Sequence, residues 1–328
     1  MLKQEPEDGH ARLPDPQFRA DVLRGLRDRP RAIQARWFYD LRGSELFEQI
    51  TALPEYYPTR TEAALLKTAG PELKAMRTPG CAVVEFGSGS SAKTPILLEQ
   101  IDPAAYVPID ISHDFLQRSA RTIAESFPAI DVYPVTANFM DPVPLPAEVA
   151  TAPKLGFFPG STIGNLTPGA AVDLLRTMRM SLGDGSRLLI GIDRVKARDV
   201  LVPAYDDAQG VTAAFNLNLL ARINRELGGD IPIDAFRHRA IWNDAFGRIE
   251  MHLEAQRDVH FSVEGQRFEL AAGETIHTEN SHKYGERGAR VLLMGGGWTP
   301  IAEWQDEQGW FGLILAEAMP PVPAVAAA

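Results

Sequence analysis

The feature that most constrains this chain is a strand–turn–helix signature over residues 82–99, followed about twenty residues later by a carboxylate. Ala82-Val83-Val84-Glu85-Phe86 reads as a short buried strand, and Gly87-Ser88-Gly89-Ser90-Ser91 as a tight turn. A helix is expected from about Lys93 to Glu99. Glycines at the turn let the backbone bend sharply and approach a ligand closely. Asp110 closes the next apolar run, 105–110, where a carboxylate can accept both ribose hydroxyl protons. Gly87-x-Gly89-x-x-Ala92 also matches the dinucleotide fingerprint. On this motif alone a nicotinamide dinucleotide, S-adenosylmethionine (SAM) and a ligand-free tight turn all remain open. Glu85, just before the glycines, suits the cationic amino-acid tail of SAM.

The rest of the chain sets that motif in an alternating pattern. Residues up to about Arg60 read as helix, with Phe38, Leu41, Leu46, Phe47, Ile50 and Leu53 near helical spacing. Pro54 and Pro58 interrupt it, and a second helix is expected from Thr61, capped by that hydroxyl. Further strands are expected at 132–135, 154–158 and 186–193, with helices from Ser112 and over 168–181. Strands alternating with helices predict an α/β fold with a doubly wound, mostly parallel, Rossmann-like sheet. After Asp193 the pattern changes. A helical stretch, 207–227, precedes two-residue alternation over 249–261, the mark of an antiparallel strand with one wet face. A strand signal at Val291–Gly297 and another at 309–316 look like a terminal strand pair similar to that of class I methyltransferases. The predicted division is a discontinuous cofactor domain, 60–193 and 287–319, with a second, α+β substrate domain, 8–59 and 194–286. Residues 320–328 are expected to be a disordered tail, and the site is expected between the domains.

Composition narrows the partners. With 328 residues, 45% of them hydrophobic, the chain can bury a large core. The formal charge of -10 and the lack of a basic stripe argue against nucleic acid. Arg24, Arg27, Arg29 and Arg31 read as a solvated helix face. No run of about 18 apolar residues predicts a membrane span, and no signal peptide is evident, so a cytoplasmic location is expected. The single cysteine, Cys81, excludes an intrachain disulfide and a thiolate zinc cluster, and reads as a buried structural thiol. The seven histidines contain no HExxH or close cluster; His252 and His260 read as solvated, and no metal is expected. Oligomeric state is left open, with a monomer allowed.

Several strings occur together: Phe38-Tyr39-Asp40, Leu53-Pro54-Glu55-Tyr56-Tyr57-Pro58-Thr59-Arg60-Thr61-Glu62, and Phe86-Gly87-Ser88-Gly89-Ser90 with Lys93-Thr94. They continue in Pro108-Ile109-Asp110-Ile111-Ser112, Phe158-Pro159-Gly160-Ser161-Thr162-Ile163-Gly164-Asn165, Ala214-Phe215-Asn216-Leu217-Asn218 and Thr278-Glu279-Asn280-Ser281-His282-Lys283. With these strings the chain resembles the histidine Nα-methyltransferases of ergothioneine biosynthesis, over all but its two tails. The resemblance implies a class I methyltransferase fold and SAM as co-substrate, bound by Tyr39, Gly87, Lys93, Asp110, Asn138 and Phe139. It further implies a free amino acid, histidine, whose amine is held by Asn165 and whose carboxylate is held by Tyr205. Tyr56, Glu279 and Ser281 would read the imidazole, with Met251 packing nearby. Asn165 and Tyr39 are the candidate catalytic residues. On an extended segment Glu279 and Ser281, two apart, share one side, which suits a ring with two nitrogens. Read without the resemblance, the same residues fit a polar loop, core tyrosines and turn asparagines. Position 138 departs from the family pattern, because Asn stands where Asp is expected. The contact keeps an acceptor but loses its charge. Another amino acid, such as tryptophan, is the alternative substrate; a nicotinamide oxidoreductase and a non-catalytic binder are the remaining readings.

Overall fold

In a computed structural model, residues 15–89 and 93–319 are described. Turn residues Ser90–Ala92, the start of the second domain and the 320–328 tail lie outside them. The chain divides into two compact units, each discontinuous. The larger holds 48–89, 93–208, 240–250 and 280–319; the smaller holds 15–47, 209–239 and 251–279.

The larger unit is built on an eight-stranded sheet. Its order is Trp298–Gln305, Phe311–Ala318, Arg187–Asp193, Lys154–Phe158, Ala82–Phe86, Ala105–Asp110 and Asp131–Val132, with Val135–Thr136 also paired to Ala105–Asp110. All pairings are parallel except those of Phe311–Ala318, antiparallel to both neighbours. Period-two side chains feed two cores. Val84, Phe86, Val107, Ile109, Leu188 and Ile190 join one, with helices Pro168–Leu182 and Glu286–Gly295. Val83, Tyr106, Phe157 and Leu189 join the other, with helices Tyr57–Met76 and Thr94–Ile101. Burial on both faces explains why these strands read as continuous apolar runs. Strand Ala82–Phe86 lies between Ala105–Asp110 and Lys154–Phe158, so the strand order reverses there. Such a switch point opens a crevice at the carboxyl ends of the strands. The turn after Phe86 and the loop after Phe158 flank it.

Several expectations are corrected. Val291–Gly297 is not a strand: helix Glu286–Gly295 covers most of it, with Ala289, Leu292 and Leu293 buried and Val291 60% exposed. A short apolar run does not separate strand from buried helix, and here the spacing of the buried positions is helical. The terminal pair exists, but its first strand is Trp298–Gln305. Thr61 is not a cap, because the helix starts at Tyr57 with Pro58 in its first turn, where no N–H is needed. The expected third strand is split around Pro134, which lacks a ladder donor, into Asp131–Val132 and Val135–Thr136. The alternating stretch forms two strands, Arg248–Ala255 and Val259–Val263.

The smaller unit opens with helix Pro16–Arg27. Asp15 caps it by accepting from the N–H groups of Gln17 at 2.7 Å and Phe18 at 3.3 Å. Helix Val211–Leu227 buries Phe215, Asn216, Leu219, Leu220 and Ile223 at helical spacing. Hairpin Val259–Val263/Gln266–Leu270 turns at Glu264-Gly265, both with positive φ (49° and 72°), as its two-residue loop requires. A four-stranded sheet runs Arg31–Ala32, Thr275–His282, Arg248–Ala255, Phe236–Asn243, and the chain leaves the smaller unit inside the last three strands. Arg31 is not solvated as expected: it is 3% exposed, donating to the Leu26 carbonyl at 3.0 Å and pairing with Glu274. No helix among the described residues is long and apolar enough to cross a membrane.

Candidate active site

Gly87 ends the central strand with φ +74°, a left-handed conformation that disfavours any side chain, and a Cβ there would meet the Phe139 ring at 3.2 Å. The Phe139 ring therefore fills the side on which a Cβ would stand, and is itself edge-on to Phe158 at 6.0 Å. Asp110 accepts from Gly89 N–H at 3.1 Å and Ser112 N–H at 2.9 Å, which ties the glycine turn to the neighbouring strand end. A carboxylate has further lone pairs for ligand hydroxyls. Asn138 makes a local turn: its Oδ1 accepts from Met140 N–H at 3.2 Å, and its amide donates to Asp141 at 3.4 Å.

Glu85, read as suited to a cofactor tail, is sealed within the sheet. Alternation puts it on the side of Val83, where it is 2% exposed and accepts from Thr94 Oγ1 at 2.7 Å and from the Tyr106 hydroxyl. Burial pushes its carboxyl up to about 7, despite those two donors.

Lys93 precedes helix Thr94–Ile101 and pairs with Glu62. The same Glu62 carboxylate accepts from Gly160 N–H at 2.8 Å, so it joins the helix start to the loop after Lys154–Phe158. Glu62 is fully buried and packs onto Gly191; a Cβ there would stand 1.9 Å from Glu62 Oε1. That loop carries Asn165 at the end of a short 3-10 turn, Thr162–Asn165. Its half-buried amide has no hydrogen-bond partner among the described residues. Gly164 abuts the backbone of His282, whose Nδ1 lies 2.9 Å from the Gly164 carbonyl. The end of strand Thr275–His282 is thereby held beside the Asn165 loop.

Ser281, on that strand end, lies 2.7 Å from the Tyr205 hydroxyl, and the Tyr205 ring stands edge-on to Tyr56 with centroids 6.2 Å apart. Lys283 donates to both hydroxyls, at 2.8 Å to Tyr205 and 2.7 Å to Ser281, and pairs with Asp193 at 2.6 Å. Asp193 also accepts from Tyr57 at 2.7 Å and from Lys196. Burial alone would raise the Asp193 carboxyl, but Lys283 and Lys196 outweigh it and hold it below its ordinary range.

In the smaller unit, Tyr39 packs edge-on against Phe47 (5.5 Å) and Phe215 (5.7 Å). Met251 is buried, and its carbonyl accepts from the Thr278 hydroxyl at 3.1 Å; that hydroxyl also bonds Asn216 at 2.8 Å. Glu279 is half-buried on strand Thr275–His282, so residues 278–281 form a strand and not a polar loop. His252, expected on a solvated face, stacks on His277 at 4.8 Å; the contact joins residues remote in sequence.

The larger unit thus brings Gly87, Phe139 and Asp110 to one strand-end cluster, and Tyr56, Tyr205 and Ser281 to another. Glu62, Asp193, Tyr57 and Lys283 were not singled out beforehand. Asp193 was the most accessible of them, as an acidic residue at the carboxyl end of a predicted strand, like Asp110. The profile of a histidine-specific, SAM-dependent methyltransferase family matches residues 18–318. The chain belongs to that family. A histidine N-alpha-methyltransferase of Mycolicibacterium smegmatis is 42% identical over 91% of this chain and 94% of its own length. The one from Mycobacterium tuberculosis is 41% identical over the same shares. An ergothioneine biosynthesis protein 1 of Neurospora crassa is 27% identical over 85% of this chain but 32% of its own length. Membership in the histidine-specific methyltransferases decides the motif's ambiguity in favour of SAM over a nicotinamide dinucleotide.

Proposed function

We propose that this methyltransferase transfers three methyl groups from SAM to the α-amine of L-histidine, giving trimethylhistidine (hercynine) as the first step of ergothioneine synthesis. The observation that carries the reading is the 42% identity to a histidine N-alpha-methyltransferase along nearly the full length of both chains. Each histidine consumes three SAM and releases three S-adenosylhomocysteine and three protons.

The residues fit an adenosyl ligand: Gly87, at φ +74°, allows the tight turn at the strand end, and Asp110 offers a carboxylate one strand over. When bound, SAM supplies a methyl already activated by its sulfonium. Lys93 and Tyr39 are assigned to SAM as well, with Asn138 and Phe139 at the adenine. The protein then has to hold a neutral amine about 3 Å from that carbon, in line with sulfur. Free α-amines with a pKa near 8 are mostly protonated at about pH 7, so a proton must leave first. Asn165, with its uncommitted amide, accepts from the amine and aims its lone pair; Tyr39 is the candidate base. Tyr205 receives the carboxylate, Tyr56, Glu279 and Ser281 the imidazole, and Met251 packs beside it.

The test is incubation with SAM and each of the twenty amino acids, with products followed by mass. A gain of three methyls on histidine alone is expected. Gain on tryptophan instead would overturn the roles of Glu279 and Ser281, and no gain on any amino acid would overturn the reading.

A further inference from the structure

Lys283 is one of the most completely buried cations among the described residues, its side chain sealed from solvent. A buried ammonium has to spend every proton on a partner. The three partners are Asp193 at 2.6 Å, the Ser281 hydroxyl at 2.7 Å and the Tyr205 hydroxyl at 2.8 Å. Its Nζ also stands 4.7 Å from the Tyr205 ring centroid. Asp193, the anchor, is held in turn by Tyr57 and Lys196, and its backbone N–H donates to Ser161 Oγ at 2.9 Å.

An ammonium donates and never accepts, so both hydroxyl oxygens receive a proton from Lys283. The hydroxyls are also 2.7 Å from each other, and one proton is used between them. Neither hydroxyl can point its own proton at Lys283. An anionic acceptor is the partner such a pair favours, because hydrogen bonds to a charged group are the stronger ones.

We propose that Lys283 is a positioning residue for substrate. Anchored on Asp193, it locks Ser281 and Tyr205 into a directed pair in which Ser281 donates to Tyr205 and Tyr205 donates to the carboxylate of the amino acid. The second lone pair of Ser281 is then open to a ring N–H. The inference rests on the reading above that Tyr205 meets the carboxylate, and it gives the unassigned Lys283 a part in specificity.

Lys283→Met keeps an unbranched side chain one atom shorter, and Asp193 retains Lys196 and Tyr57, so the fold has a paired carboxylate without it. The experiment measures histidine affinity by calorimetry with S-adenosylhomocysteine bound, for the wild type, Lys283→Met, Tyr205→Phe and the double variant. Lys283→Met is expected to weaken histidine about tenfold, to leave S-adenosylhomocysteine affinity unchanged, and to raise KM more than it lowers kcat. The double variant is expected to bind within about threefold of the weaker single variant, because both changes remove one oriented contact. Histidine affinity unchanged in Lys283→Met, or losses that multiply in the double variant, would overturn the proposal. Should Lys283→Met fail to fold, Lys283→Gln replaces it in the same cycle. A wild type that neither binds nor methylates histidine would overturn the functional reading instead.

Discussion

A carboxyl sealed inside a sheet couples its own titration to the stability of the fold, and Glu85 is such a group. Its pKa of about 7 in the folded chain lies above the ordinary 4.5. Between those values the folded state holds a proton that the unfolded state has lost. The stability that Glu85 itself contributes is therefore fully present below about pH 4.5 and is lost as pH rises through about 7, roughly 3 kcal/mol in all. Glu85→Gln is neutral throughout and keeps an acceptor for Thr94 and Tyr106. Its urea midpoint is expected to gain on that of the wild type as pH rises from 5 to 8; parallel profiles would show that Glu85 titrates normally. Position 85 also marks the limit of reading residues in isolation. Its place before the glycines suggested a ligand role, yet strand alternation turns the side chain into the helix-covered face. Asp110 was read correctly as a strand-end carboxylate beside the glycine turn, since that position depends only on strand length and spacing.

At the scale of elements, the strands between 82 and 193 were legible because burial on both faces leaves a run of apolar residues. Elements near proline and glycine were less so. Val291-Leu292-Leu293-Met294 precedes three glycines and satisfies strand and helix patterns equally. It is helical because Ala289, Leu292 and Leu293 pack on the sheet core beside helix Pro168–Leu182. Trp298 then starts the antiparallel strand. It is fully buried, and its indole N–H donates to the Leu175 carbonyl at 2.9 Å, fastening the terminal strand pair to that helix. Trp298→Phe removes the bond and part of the ring and is expected to destabilise the larger unit by roughly 2 kcal/mol. Chemical denaturation of the two proteins side by side measures it, and equal midpoints would mean the indole contributes only shape.

For the whole molecule, ligand linkage separates the cofactor classes that the glycine turn left open. A ligand that binds only the folded state stabilises it by about 2.7 kcal/mol at a hundredfold excess over Kd. S-adenosylhomocysteine is expected to raise the melting temperature in a concentration-dependent way, and NAD at the same concentrations to leave it unchanged. Stabilisation by NAD alone would contradict the cofactor assigned to the turn.

Local patterning determined a good deal by itself: the alternation of strands and helices, the glycine turn with Asp110 one strand on, and the strings that mark a histidine methyltransferase. Each depends on spacing within a few residues or on short stretches of chain. Tertiary structure alone decided which charged groups are buried and what neutralises them. Glu62 meets Lys93 and Gly160, and Asp193 meets Tyr57, Lys196 and Lys283, across separations of up to 136 residues. A polar side chain carries no mark of its eventual burial, because its desolvation is offset only by partners that the folded chain supplies.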